Sequence, residues 1–127
     1  MNPFASRLAL LALFVVAAGC KSSDAEDHDL GTAMVGAYSV HVLQEGTFGP
    51  GTTTKYAIQP TPGKPDKIEC WFGSETTTPH VTGSFDPNDS DYDCLVPTPA
   101  TIQPTDKLWF GLTTGTTTAN GSVATSP

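Results

Sequence analysis

The chain has 127 residues and a formal net charge of −7 at pH 7, with 13 acidic side chains against six basic ones. An acidic exterior of this kind excludes nucleic acid as the partner. The length reads as one domain, small but able to bury a core. High Thr, Gly and Pro content, with no sustained helical period after residue 20, excludes a helical bundle.

Met1 to Arg7 carries one basic side chain, and Leu8 to Ala18 is almost wholly Leu, Ala, Val and Phe. As a helix these residues reach about 16 Å, half a bilayer core, so the stretch reads as the apolar region of a signal peptide. It is followed by Val16-Ala17-Ala18-Gly19-Cys20, which resembles the lipobox of bacterial lipoproteins, with Ala17 where that family usually has Leu. The resemblance implies a cleaved signal peptide over residues 1–19. It also implies Cys20 as the lipid attachment site, with a diacylglyceryl group on its thiol and an acyl chain on the new amine. At about 0.8 kcal/mol per buried CH₂, three chains make an effectively permanent anchor in the bilayer. In the family an Asp after the cysteine favours inner-membrane retention; Lys21 therefore implies the outer membrane, on its periplasmic face or at the cell surface. Ordinary secretion, with Cys20 incidental, is the alternative that the residues leave open.

Residues 20–36 read as a flexible acidic tether, because Ser22, Ser23, Asp24, Glu26, Asp27, His28 and Asp29 offer little apolar surface to offset ordering. Within it, His28 between Asp27 and Asp29 offers imidazole and carboxylate ligands in one short peptide. Residues 37–127 read as the folded domain. Strands are predicted at Ala37–Leu43, Thr53–Gln59, Lys67–Gly73, Pro79–Phe85, Asp91–Val96, Lys107–Thr113 and Thr117–Thr125, separated by Gly- and Pro-rich turns. About seven short strands at this spacing predict an all-β, immunoglobulin-like antiparallel sandwich, with a small barrel as the alternative.

With Cys20 assigned to lipid, Cys70 and Cys94 remain in an oxidising compartment, where a disulfide is the expected state. The pleat agrees. Ile68, Cys70 and Phe72 share one strand face, and Tyr92, Cys94 and Val96 share another. Closing this 24-residue loop contributes about 3.4 kcal/mol in the chain-entropy account.

Two constellations carry possible ligand chemistry. The first is the acidic run from Asp86 to Asp93, where Asp86, Asn88, Asp89 and Asp91 place oxygen ligands at short intervals. It lacks the Gly and the terminal Glu of an EF-hand loop, so it reads either as a calcium-capable turn or as a solvated hairpin. The second is the set of histidines, His28, His41 and His80, which offers copper or zinc ligation if the fold brings them together. Trp71 and Trp109 fall on the strand faces opposite the core, where they either form a contact platform or cover the sheet. No nucleophile elbow, HExxH, P-loop or dinucleotide fingerprint occurs, so the chain does not read as an enzyme.

The acidic, His-bearing lead-in Asp24–Asp29, the strand Gly36–Val42, the run Asp91–Pro97 and Lys107–Phe110 are together similar in outline to small periplasmic β-sandwich modules of the FixH/YtkA type. That resemblance implies the sandwich fold and an association with copper handling. The resulting expectation is a membrane-anchored extracytoplasmic lipoprotein that binds or scaffolds an envelope protein without a required cofactor. An envelope protein binding copper, zinc or calcium is the alternative.

Overall fold

A computed structural model describes residues 27–126. The expected signal peptide, Cys20 and the first part of the expected tether lie outside the described residues. The strands, in chain order, are β1 (Asp27–Val35), β2 (Tyr38–Glu45), β3 (Thr53–Thr61), β4 (Lys67–Gly73), β5 (Val81–Thr82), β6 (Ser84–Asp86), β7 (Asp91–Pro97), β8 (Lys107–Thr114) and β9 (Thr117–Val123).

They form two antiparallel sheets, one ordered β1-β2-β3-β7-β6 and the other β9-β8-β4-β5. Leaving β1 aside, these are the ABED and GFC orders of an immunoglobulin sandwich, with β5 as an extra edge strand on the second sheet. The alternation that predicts the strands also builds the core. Val40, Val42, Tyr56, Ile58, Cys94 and Val96 point inward from the first sheet, and Ile68, Cys70, Phe72, Leu108, Phe110 and Leu112 from the second. The Cys70–Cys94 disulfide joins β4 to β7 across the two layers, with a Cα–Cα distance of 6.3 Å and both residues fully buried. It therefore links the C and E positions, unlike the B-to-F bridge of antibody domains.

The structure differs from the sequence reading at two places. Residues Asp27–Val35, expected as tether, form a strand paired along β2 from Asp27↔Glu45 to Val35↔Tyr38. The composition is polar because β1 is an edge strand with one face in solvent; its backbone ladder and the buried Val35 hold it. A bulge between Asp29 and Gly31 interrupts the plain alternation that would have revealed it.

Second, the expected strand Pro79–Phe85 is two strands. Val81–Thr82 pairs with β4, and Ser84–Asp86 pairs with β7 in the opposite sheet. The chain changes sheets at Gly83, whose N–H donates to Ile68 O at 2.8 Å. A Cβ there would lie 3.2 Å from Cys94 Sγ and 3.3 Å from Tyr92 Cβ, so the crossover passes where a side chain would crowd the core.

Of the two roles open to the tryptophans, Trp71 takes that of covering the sheet. It sits on the outer face of the second sheet but is only 3% exposed. The His80 ring stacks on it with centroids 3.6 Å apart, and its indole N–H donates to Ser74 O at 2.8 Å. Gly111 leaves the room beneath its six-membered ring. Trp109, its cross-strand partner, donates to Gly73 O at 3.1 Å. Both indoles thus anchor the segment after β4 and cover the sheet.

Candidate functional site

The three histidines do not converge. His41 lies on the outer face of the first sheet, with Nε2 2.8 Å from Asp29 Oδ1 and Nδ1 3.1 Å from Gln59 Oε1. His28 pairs in register with Gln44, whose side chain is fully buried, and so occupies the opposite face of that sheet. His80 lies just before β5 and packs on the other sheet, stacked on Trp71, with Nε2 donating to Thr77 O at 3.0 Å and Nδ1 3.5 Å from Glu69 Oε1. A joint copper or zinc site from His28, His41 and His80 is therefore not assembled: His28 and His41 lie on opposite faces of one sheet, and His80 lies against the outer face of the other. Asp29, expected beside His28 as a ligand, is already engaged. Its carboxyl is held below the usual carboxylate range, first by the Gly31 N–H at 2.8 Å and then by His41.

Carboxylates gather instead on the β6–β7 hairpin. Asp86 and Asp91 are register partners on either side of the turn, and Asp93 lies two residues along β7 on the same face. One carboxylate oxygen from each of Asp86, Asp91 and Asp93 lies within 4.8 Å of the others. The turn is built locally. Asp86 Oδ1 accepts from the Asn88 N–H at 2.9 Å, its carbonyl accepts from the Ser90 N–H at 2.9 Å, and Ser90 takes φ 57° to close the chain. Of the four residues expected to supply ligands here, Asp86 and Asp91 belong to the cluster. Asn88 and Asp89 are exposed on the turn, and Asp93 joins the cluster in place of Asp89. The signal for it was available in the strand period, since Asp91 and Asp93 must share a face.

The environment of Asp91 is unusual for an aspartate. The residue is 3% exposed, and its Oδ1 has no hydrogen-bond partner among the described residues. Burial, reinforced by Asp93, Asp89, Asp86 and Glu45, pushes its carboxyl up to about 6. The nearby cation is Lys55, 3.2 Å from Glu45 Oε1 and 3.8 Å from Asp93 Oδ2. Its ammonium is held protonated above the usual lysine range, chiefly by the hydrogen bond to Glu45. Lys55 thus spends its charge mainly on Glu45. Beside the cluster, Lys55, Thr82, Ser84, Asp93 and Leu95 line a shallow depression in the surface.

Among the described residues, no helix is long and apolar enough to cross a membrane. The chain matches no protein-family model, no curated protein and no solved structure.

Proposed function

We propose that this chain is a lipid-anchored, extracytoplasmic β-sandwich that serves the bacterial envelope as a non-catalytic binding or scaffolding module. The observation that carries the reading is the arrangement of its cysteines. Cys70 and Cys94 close on each other across the two sheets, as suits an oxidising compartment. That leaves Cys20, at the end of the apolar run, as the one cysteine free for lipid. β1 starts seven residues after Cys20, a reach of at most about 25 Å, so the sandwich is held close to the headgroups.

The test is metabolic labelling of the expressed chain with an alkyne fatty acid. Label on the wild type, lost in Cys20→Ser together with membrane retention, is the expected result. An unlabelled wild-type chain found free in the periplasm overturns the anchor. The binding role is tested by photo-crosslinking in living cells from Leu95, an exposed apolar residue of β7. A discrete adduct with an envelope protein supports it, and unmodified monomer from every exposed position tried on that face overturns it.

A further inference from the structure

We propose that Asp86, Asp91 and Asp93 form a binding site for a hard divalent cation of the calcium class, which clamps the β6–β7 hairpin to the edge of the sheet. The inference adds a ligand to the module described above and does not depend on the anchor.

Three features carry it. The first is spacing. Ligands about 2.4 Å from one calcium ion lie at most about 4.8 Å from each other, and one oxygen from each of the three carboxylates satisfies that limit. The second is the buried, unpartnered oxygen of Asp91. A carboxylate oxygen removed from water without a hydrogen bond is unfavourable unless a counter-charge meets it. The third is the charge balance around it. Asp86 on β6 and Asp93 on β7 gather on Asp91, and the facing cation, Lys55 on β3, lies 3.8 Å from Asp93 Oδ2 but is shared with Glu45 on β2 at 3.2 Å, so four carboxylates face one ammonium. A divalent ion meets this excess.

The donor set decides the class of ion. It is all oxygen, without imidazole or thiolate, which favours calcium over copper or zinc. Water and further oxygen donors would complete six to eight ligands. Asp91 and Asp93 come from β7 and Asp86 from its paired neighbour β6, so the three carboxylates are positioned by the sheet ladder and not by a loop.

The experiment is a calorimetric titration of the full chain in nonionic detergent with CaCl₂, repeated with MgCl₂ and ZnCl₂. One calcium ion per chain is expected, with a Kd of about 10⁻⁴ to 10⁻³ M, in the range of extracellular modules. Asp91→Asn and Asp93→Asn are expected to weaken binding by at least about tenfold, because each removes a charged ligand. Asp89→Asn, which alters a turn carboxylate outside the cluster, stays within about threefold. In the wild type, calcium should move the backbone amide resonances of residues 84–93 in a heteronuclear NMR spectrum, a readout that needs no variant to fold. Silence up to 10 mM calcium (about ten times the weakest Kd expected) overturns the proposal. So does unchanged affinity in both Asn variants, tighter binding of zinc than of calcium, or resonance shifts confined to other residues.

Discussion

Val35 at the end of β1 packs directly on the backbone of Gly121 in β9. A Cβ built at Gly121 would fall inside the van der Waals envelope of Val35 Cγ2. This contact joins the outermost strands of the two sheets and explains how a polar N-terminal strand stays docked. Gly121→Ala is therefore expected to destabilise the domain by about 1–3 kcal/mol through overpacking. The check is a lowered urea midpoint with an unchanged m-value. Val35→Ala, combined with Gly121→Ala, should recover part of the loss, because the two sites share one contact.

The bridge between β4 and β7 closes a loop with a sequence separation of 24. Replacing Cys70 and Cys94 by Ser should cost about 3 kcal/mol, mostly through the freed unfolded chain. Chemical denaturation measures it. Chain recovered from an oxidising compartment should show no thiol reactivity at either position until it is unfolded and reduced.

Acid should stabilise the calcium-free protein before it destabilises it. The Asp91 carboxyl stands at about 6 when folded and at the ordinary 3.8 when unfolded, so the native state binds more protons across that interval. Its favourable contribution is complete below pH 3.8 and is lost as the pH rises through 6. In EDTA, the thermal midpoint should rise as pH falls from 7 to 5, and Asp91→Asn should flatten that rise. With saturating calcium the slope should be smaller or reversed, since protons and the ion compete for the same oxygens.

His80 covers Trp71 by parallel stacking, with 9° between the ring planes. His80→Ala uncovers the indole, so tryptophan emission should shift to the red and acrylamide quenching should increase. A stability loss of about 1 kcal/mol is expected, the scale of one aromatic stack. An unchanged spectrum would mean that Pro79 and its neighbours cover the indole without the imidazole.

Much of the site was visible one residue at a time and little of it as a group. Asp86 and Asp91 stand out as ligands in a run of acids. Asp93 closes the same run, but a loop motif that counts along the chain does not select it, whereas the hairpin register brings oxygens together across it. The histidines look like a set in composition, yet Cβ alternation puts His28 and His41 on opposite faces of one sheet, and strand order puts His80 against the other. The split of the Pro79–Phe85 segment was hidden for a related reason. Gly83 has the same local preferences in a strand as at a crossover, and only the proximity of Cys94 and Tyr92 makes it a crossover.

What the sequence by itself determined is the all-β character, the inward alternation of Val40–Val42, Ile68–Cys70–Phe72 and Leu108–Phe110–Leu112, and the opposition of Cys70 to Cys94. These follow from the two-residue period of a strand and from turn residues, which are local properties of the chain. Only the tertiary structure decided that β1 joins the sheet, that Trp71 is covered, and that Asp91 loses its water while Asp93 and Asp86 close around it. Those outcomes depend on which strand lies beside which and in what register. That is set by the packing of two whole faces against each other, and no single stretch of residues encodes it.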